Sequence, residues 1–224
     1  MSTTAISDET ARQIDAIRIE PGRPLVITDA DEVLFLFLQG FADYLEGRSL
    51  YFDWSSYALT GNIRRRADDL PIEATEVRGH IYSFFENHTE ALPTVPGAAA
   101  GLAALSQRAQ IVVLSNLPHA QGEARRRALA ANDMPYPLIT NSGMKGEAVR
   151  RLSALAAAPT VFIDDSPLNL ASVKESAGHV DRLHFIGDPR LARLLGPAEE
   201  SHARHDDWPA LQREIEARIP TGGS

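Results

Sequence analysis

Two short apolar segments of this chain each end in a pair of acidic residues. The segments and their acids are Leu25–Thr28 with Asp29 and Asp31, and Thr160–Ile163 with Asp164 and Asp165. A bounded run of four to eight apolar and β-branched residues is typical of a buried strand. Carboxylates at the end of such a strand are costly unless positive charge lies between them. The pattern therefore predicts two strands whose acids share one cation.

The composition is that of an ordinary soluble globular protein and argues against several classes of function. The chain has 224 residues, enough for a substantial core in one large domain or one domain with an insertion. Its net charge of −8 argues against general nucleic-acid binding. No apolar run approaches the ~20 residues of a membrane span, and residues 1–9 lack the basic-then-apolar order of a signal peptide. The absence of cysteine excludes disulfides and thiolate metal sites and fits a cytoplasmic location, which we expect.

Apolar runs recur along the chain, and helical patterns separate the later ones. The runs cover 25–28, 111–114, 137–140, 161–163 and 183–186, and the helical patterns cover about 8–18, 97–108, 119–131, 145–157, 168–177 and 207–219. This alternation predicts an α/β fold with a parallel sheet covered by helices on both faces. The polar stretch that contains His202 and His205, before the last helix, is expected to be a loop.

One crossover is far longer than the others. About 80 residues separate Asp29 from Ile111, whereas a strand–helix–strand unit needs ~30 in all. The surplus contains helical patterns at 35–45 and around 72–85, with an aromatic stretch between them. We therefore predict a small, mostly helical subdomain inserted at 36–94, and a catalytic core formed by 1–35 and 95–224.

Polar residues follow four of the predicted strands, where an open parallel sheet binds its ligands. They are Asp29 and Asp31, Ser115 and Asn116, Thr140 and Asn141 with Lys145 shortly after, and Asp164 and Asp165. Each type of residue suits work on a phosphate ester.

A carboxylate can attack phosphorus and form an acyl phosphate, and Asp29 is placed to do so. Asp31 aligns with it at i+2 and can protonate the leaving oxygen and later activate water. The Ser115 hydroxyl and the backbone amides around Asn116 can hold phosphoryl oxygens. Lys145 can supply positive charge against the phosphate.

Asp164 and Asp165 offer hard oxygen ligands that suit Mg²⁺. Each signal also has a plain alternative, because D-x-D often forms a turn, Asp164 could cap the next helix, and Lys145 could be a surface lysine. A cap needs only one acceptor, however, and Lys145 is one of only two lysines among 22 basic residues. The joint occurrence of these residues at strand ends favours the functional interpretation.

These residues resemble the four motifs of the haloacid dehalogenase superfamily of phosphohydrolases. The corresponding segments are Asp29–Val33, Leu114–Asn116, Lys145 and Asp164–Asn169. The resemblance implies a Rossmann-like, doubly wound core, dependence on Mg²⁺, a phospho-aspartyl intermediate, and a helical cap formed by the insertion. Many members have glycine where this chain has Glu32, and the sequence suggests no role for that carboxylate.

The resemblance also implies a role for each motif residue. The roles are nucleophile and metal ligand for Asp29, acid/base and metal ligand through its carbonyl for Asp31, phosphate binding for Ser115 and Lys145, and metal binding for Asp164 and Asp165. An acid at Asp31 favours phosphate esters over organic halides, because a halide leaving group needs no proton. The expected function is therefore an Mg²⁺-dependent phosphohydrolase that acts on a small phosphorylated metabolite, without nucleic-acid or membrane partners.

Two alternatives remain open. A phosphomutase of the sugar-phosphate type uses the same acids, and a catalytically silent phosphate-binding protein can have the same fold. Within the insertion, Arg64 and Arg66 could grip an anionic group of the substrate, although a solvated helix face is the simpler explanation. We expect Trp54 and Tyr57 to form the small core of the cap.

Overall fold

The computed structural model describes residues 6–219. Residues 1–5, within the segment predicted to lack a signal peptide, and residues 220–224, assigned to the core, lie outside the described residues. Within 6–219, no helix combines the length and the apolar character that crossing a membrane requires.

Eight strands are present between residues 6 and 219. They are β1 (Leu25–Thr28), β2 (Leu50–Phe52), β3 (Ile63–Arg65), β4 (Gln110–Asn116), β5 (Leu138–Asn141), β6 (Thr160–Asp164), β7 (Asp181–Phe185) and β8 (Ala203–His205). Six of them form one sheet in the order β5-β4-β1-β6-β7-β8, and every neighbouring pair is parallel. Five of these six coincide with the apolar runs of the sequence, so the predicted parallel α/β sheet is confirmed.

Nine α-helices accompany the strands in the same part of the chain. They are α1 (Asp8–Ala16), α2 (Phe37–Glu46), α3 (Ala74–His88), α4 (Ala98–Ser106), α5 (Gly122–Ala131), α6 (Gly146–Ala156), α7 (Pro167–Ser176), α8 (Pro189–Ala192) and α9 (Trp208–Arg218). Short 3₁₀ turns at Thr89–Ala91 and His119–Gln121 follow α3 and precede α5.

The central strand β1 contributes side chains to the cores on both faces of the sheet, because successive side chains of a strand point to opposite sides. Leu25 and Ile27 join a core with residues of α1, α6 and α7. Val26 joins a second core with residues of α4, α5 and α9. All four residues of β1 are buried, which explains why this strand is a continuous apolar run in the sequence.

The order of the strands also determines where in the sheet the site lies. The chain runs outward from β1 through β4 to β5 on one side, and through β6, β7 and β8 on the other. A crevice opens where the strand order diverges in this way, at the carboxyl ends of the central strands. The ends of β1, β4 and β6 therefore meet at one place.

The long crossover between β1 and β4 contains α2, α3 and an antiparallel pair formed by β2 and β3. β2 overlaps the aromatic stretch and β3 follows it, and neither strand was predicted because each has only three residues. Aromatic rings of the two helices pack together, with the ring centroids of Phe37 and Phe85 5.3 Å apart and those of Phe41 and Phe84 also 5.3 Å apart.

The connections into and out of the insertion lie side by side. The Leu36 amide donates to the Pro93 carbonyl and the Val95 amide donates to the Leu34 carbonyl, each at 2.8 Å. The insertion therefore leaves and rejoins the core at one point, close to the predicted limits of 36 and 94, although the division into two subdomains stays a prediction.

The expectation of a loop at His205 is wrong. Ala203–His205 forms the edge strand β8 beside β7, and the preceding His202 accepts a 2.9 Å hydrogen bond at Nδ1 from the Arg182 amide. A polar edge strand of three residues has no apolar alternation for a sequence pattern to detect.

Two glycines in helix interiors make a matched test of packing. A Cβ at Gly101 of α4 would lie 2.6 Å from the buried Trp208 ring, whereas one at Gly79 of α3 would meet nothing within 4 Å. We expect Gly101→Ala to lower the free energy of unfolding by about 1–3 kcal/mol through overpacking, and Gly79→Ala to raise it by about 0.5–1 kcal/mol through helix propensity. Chemical denaturation measures both, and equal effects would contradict the packing described for Trp208.

Candidate active site

A buried lysine joins the ends of two central strands. The Lys145 Nζ lies 2.7 Å from the Asp29 Oδ2 and 2.8 Å from the Asp164 Oδ2. Asp29 directly follows β1, and its amide donates to the Ile163 carbonyl of β6 at 2.9 Å. Lys145 itself immediately precedes α6 and is fully buried. The alternative of an ordinary surface lysine is therefore wrong.

The two acids after β6 are held in different ways. The Asp164 Oδ1 accepts hydrogen bonds from the Ser166 amide at 2.9 Å and the Asn169 side chain at 3.0 Å. It thus stabilises the turn into α7, although the N-cap residue is Ser166 and no side chain in the described part of the chain caps this helix. The Asp165 Oδ2 instead accepts a hydrogen bond from the Tyr57 hydroxyl. Because the turn needs only Asp164, capping does not account for Asp165.

Three carboxylates converge beside Lys145. One oxygen from each of Asp29, Asp164 and Asp165 lies within 4.8 Å of the others, and all three residues are buried. Three acids against one ammonium leave this cluster short of positive charge. Hard oxygen donors in this arrangement fit a divalent cation such as Mg²⁺.

The shifted pKa values of Asp29, Asp165 and Lys145 reflect the same excess of negative charge. Burial raises the pKa of Asp29 to about 7, with Lys145 opposing the shift and Asp164 adding to it. Burial, followed by the charge of Asp29, raises the pKa of Asp165 well above its ordinary value. For Lys145, burial alone would lower the pKa, but Asp164 and Asp29 outweigh it and hold the pKa above its ordinary value. The lysine therefore stays charged, and the acids need further positive charge to ionise together.

Asp31 lies outside the three-acid cluster and is paired with an arginine instead. Its Oδ1 accepts a 2.8 Å hydrogen bond from the Arg125 Nη2. The Arg125 side chain is fully buried on α5, and its guanidinium carbon lies 5.0 Å from the centroid of the Phe35 ring. Sequence reasoning missed Arg125 because it begins a run of three arginines. Its spacing to the buried Ala128 and Leu129, at i+3 and i+4, is a signal that could have found it.

The phosphate-binding candidates on β4 lie at the same edge of the sheet. Ser115 is fully buried, and its Oγ has no hydrogen-bond partner among residues 6–219. Asn116 donates to the Gly143 carbonyl at 2.9 Å and accepts from the Asn141 side chain at 2.8 Å. Thr140 is turned away from this group, because its hydroxyl bonds to Gln13 of α1.

Glu32 adopts a backbone φ of 59°, in the left-handed region where glycine is favoured. Its Oε1 accepts a 2.6 Å hydrogen bond from the Leu38 amide in the first turn of α2. Burial raises the pKa of Glu32 to about 8, against the opposing effect of that amide. The side chain thus ties the loop after β1 to the start of the insertion, a role that the sequence did not suggest.

A cavity of about 270 Å³ separates the acids from the insertion. Eleven residues line it: Asp31, Glu32, Phe37, Leu38, Tyr57, Leu59, Ile81, Phe85, Asn116, Asp165 and Leu191. Tyr57 was expected to belong to the core of the cap. It packs partly against that core, but it also lines the cavity and reaches Asp165. Trp54 packs edge-on against Phe52 and lies under the Arg190 guanidinium.

Arg64 and Arg66 are engaged elsewhere, on or just after β3 rather than on a helix. Arg64 donates to the Asp69 carbonyl at 2.7 Å, and Arg66 pairs with Glu46 at 2.6 Å. Neither residue lines the cavity. Their contact with a substrate stays a prediction.

His184 of β7 lies beside Asp165, and its burial predicts that the stability of the protein depends on pH. Its Nδ1 accepts from the Ala198 amide at 3.1 Å, so its Nε2 carries the proton and donates to the Asp165 carbonyl at 3.0 Å. Burial lowers its pKa from 6.5. The unfolded chain therefore binds the extra proton first, so the contribution of His184 to the free energy of unfolding falls as the pH drops below about 6.5, by up to about 1.4 kcal/mol per pH unit, whereas the raised pKa values of Asp29 and Glu32 act in the opposite direction.

Denaturation of the wild type and of His184→Gln at pH 7.5 and at pH 5.5 isolates this contribution. We expect the change in the free energy of unfolding from pH 7.5 to pH 5.5 to favour the folded state more in His184→Gln than in the wild type. His179→Gln, at an exposed histidine, serves as the control and should behave like the wild type. An identical change in His184→Gln and the wild type would contradict the assignment.

No family model matches the sequence. No curated protein matches it either. Solved structures do match the fold.

A conserved haloacid dehalogenase-like protein of unknown function from Agrobacterium tumefaciens superposes with a TM-score of 0.60 at 15% identity, over 88% of this chain and 99% of that one. A haloacid dehalogenase-like family hydrolase from Xanthomonas campestris gives a TM-score of 0.57 at 12% identity, over 89% and 97%. CbbY from Rhodobacter sphaeroides, solved in complex with phosphate, gives 0.55 at 17% identity, over 84% and 95%. The chain therefore has the fold of the haloacid dehalogenase-like hydrolases, as its motifs predicted.

Proposed function

We propose that this chain is a Mg²⁺-dependent phosphohydrolase that acts on a small phosphate monoester through a phosphorylated Asp29. The observation that carries the proposal is the contact of Lys145 with both Asp29 and Asp164, beside a third buried acid. Such a cluster concentrates a nucleophilic carboxylate and positive charge at the edge of the sheet where ligands bind. CbbY, a neighbour with the same fold, was solved in complex with phosphate, which is consistent with phosphate chemistry on this fold.

In the first step a carboxylate oxygen of Asp29 attacks the phosphorus atom. The bond between phosphorus and the ester oxygen breaks, and the protonated Asp31 gives its proton to that oxygen, so that an alcohol departs. Asp29 now carries the phosphoryl group as an acyl phosphate. Lys145 offsets the negative charge that builds up on the phosphoryl oxygens.

In the second step water attacks the phosphorus atom of the acyl phosphate. Asp31, left ionised by the first step, takes a proton from that water, and inorganic phosphate leaves as the Asp29 carboxylate is restored. The contact with Arg125 orients the Asp31 carboxylate for both proton transfers. Ser115 is placed on β4 to donate to a phosphoryl oxygen, which would satisfy its unpartnered hydroxyl.

Asp29, Asp164 and Asp165 would hold the metal ion, and the resemblance to the superfamily adds the Asp31 carbonyl. Bound Mg²⁺ supplies positive charge that reduces repulsion between the phosphate and these acids.

Replacement of the nucleophile tests the proposal directly. We expect Asp29→Asn to lower the rate of phosphate release from p-nitrophenyl phosphate, measured with Mg²⁺, by about 10³-fold or more, because an amide cannot form the acyl phosphate. Asp15→Asn, at an exposed acid on α1, should retain the wild-type rate. A full rate in Asp29→Asn would refute the proposed mechanism.

Thermal unfolding tests the metal site without any activity. Mg²⁺ at about 100 times its Kd should stabilise the wild type by about 2.7 kcal/mol, which is roughly 5–10 °C in Tm for a chain of this size. In EDTA, Asp165→Asn should melt above the wild type, because one of the crowded buried acids loses its charge.

The same variant should gain less from Mg²⁺, since a ligand has been removed, whereas Asp15→Asn should respond like the wild type. An equal gain in all three proteins would exclude Asp165 as a ligand.

A further inference from the structure

The cavity beside the acids is largely apolar. Seven of its eleven lining residues are aliphatic or aromatic, and the remaining four are Asp31, Glu32, Asn116 and Asp165. These four include Asp31 and Asp165, the two acids that belong to the proposed reacting end. A substrate whose phosphate lies at the acids must therefore place the rest of the molecule against the apolar walls.

The walls come mainly from the two helices of the insertion. Ile81 and Phe85 are four residues apart on α3, so they lie on one face of that helix. Phe37 of α2 faces them, and its ring is stacked on that of Phe85 at an interplanar angle of 22°. These side chains form an aromatic and aliphatic surface suited to a ring or a branched alkyl group.

None of the described residues that line the cavity is basic. Arg125 is bonded to Asp31, and Arg190 is bonded to Asp188 and stacked on Trp54, with its guanidinium carbon 3.7 Å from the ring centroid. A second phosphate or carboxylate on the substrate would enter beside acidic side chains without a counter-charge. Sugar hydroxyls would lose water against apolar walls, at a cost of about 1–3 kcal/mol for each group left unpaired.

The volume also indicates the size of the group that the apolar walls can hold. A dry cavity of about 150 Å³ can hold benzene, and this cavity measures about 270 Å³. One six-membered ring with a short link to the phosphate fits that space.

We propose that the substrate is a phosphate monoester of an uncharged, compact, apolar alcohol, with its ring or branched chain against Phe37, Ile81 and Phe85. This inference rests on the proposed function and names the substrate class of the same site. It opposes the phosphomutase alternative, because a sugar bisphosphate brings the second charge and the hydroxyls that the cavity does not accommodate.

A matched pair of esters tests the inference. Cyclohexylmethyl phosphate and glucose 6-phosphate both join a six-membered ring to the phosphate through one methylene, but only the second carries ring hydroxyls. Acetyl phosphate, which barely enters the cavity, reports the chemistry alone. With the full chain and Mg²⁺, we expect kcat/KM for cyclohexylmethyl phosphate to exceed that for glucose 6-phosphate by about 100-fold or more, the discrimination that one surplus hydroxyl can bring in an apolar pocket.

Adjacent residues on α3 supply matched variants. Ile81 is half-buried and lines the cavity, whereas the neighbouring Tyr82 is 67% exposed. Ile81→Ala should lower kcat/KM for cyclohexylmethyl phosphate about 5- to 10-fold more than it lowers kcat/KM for acetyl phosphate. Tyr82→Ala should leave both values unchanged.

Two outcomes separate this inference from the proposed function. Turnover of acetyl phosphate together with equal kcat/KM for the two ring esters would overturn the substrate class and leave the phosphohydrolase standing. Failure to turn over either ring ester or the acyl phosphate would overturn the proposed function and the inference with it.

Discussion

The structure depends on one buried ammonium group. Removing a lysine side chain from water costs several kcal/mol, and only close, well-oriented carboxylates repay that cost. Asp29 and Asp164 do so for Lys145, and they come from the ends of β1 and β6, while the lysine introduces α6. The same three groups thus join two central strands to a helix. In the proposed mechanism they also form the reacting end of the site, so that the charge the fold must neutralise is the charge that the reaction would use.

The core and the insertion contribute different groups to the site. Core strands contribute the acids, which approach each other because parallel strands end at one edge of the sheet. The insertion contributes apolar walls, and through Tyr57 it touches the acid cluster directly. Glu32 links the two parts, since its backbone follows β1 and its carboxylate holds the first turn of α2. Core and insertion therefore meet at several polar contacts, and under the proposed function the insertion would set selectivity while the core carries the chemistry.

The sequence predicted the strands and site residues that a local pattern of residues encodes. β1, β4 and β6 were recognisable because both of their faces are buried, which makes them continuous apolar runs. The acids that follow the apolar runs of β1 and β6 were conspicuous for the same reason. β8 and the β2–β3 pair were missed because strands of three residues carry too little pattern. The contacts of Arg125 and Tyr57 join residues 94 and 108 positions apart, and no local periodicity encodes such distances. The helical spacing of Arg125 could have shown that it is buried, but not that it meets Asp31.

The order of the sheet has a consequence for synthesis on the ribosome. β1 is made first, yet its neighbours β4 and β6 begin at Gln110 and Thr160. At roughly 5–20 residues per second, β1 waits roughly 4–16 s for β4 and longer for β6. During that interval its apolar side chains have no partner strand on either side, while the insertion, whose helices α2 and α3 contact each other locally, is already complete. The sheet can therefore close around β1 only after β6 has been synthesised.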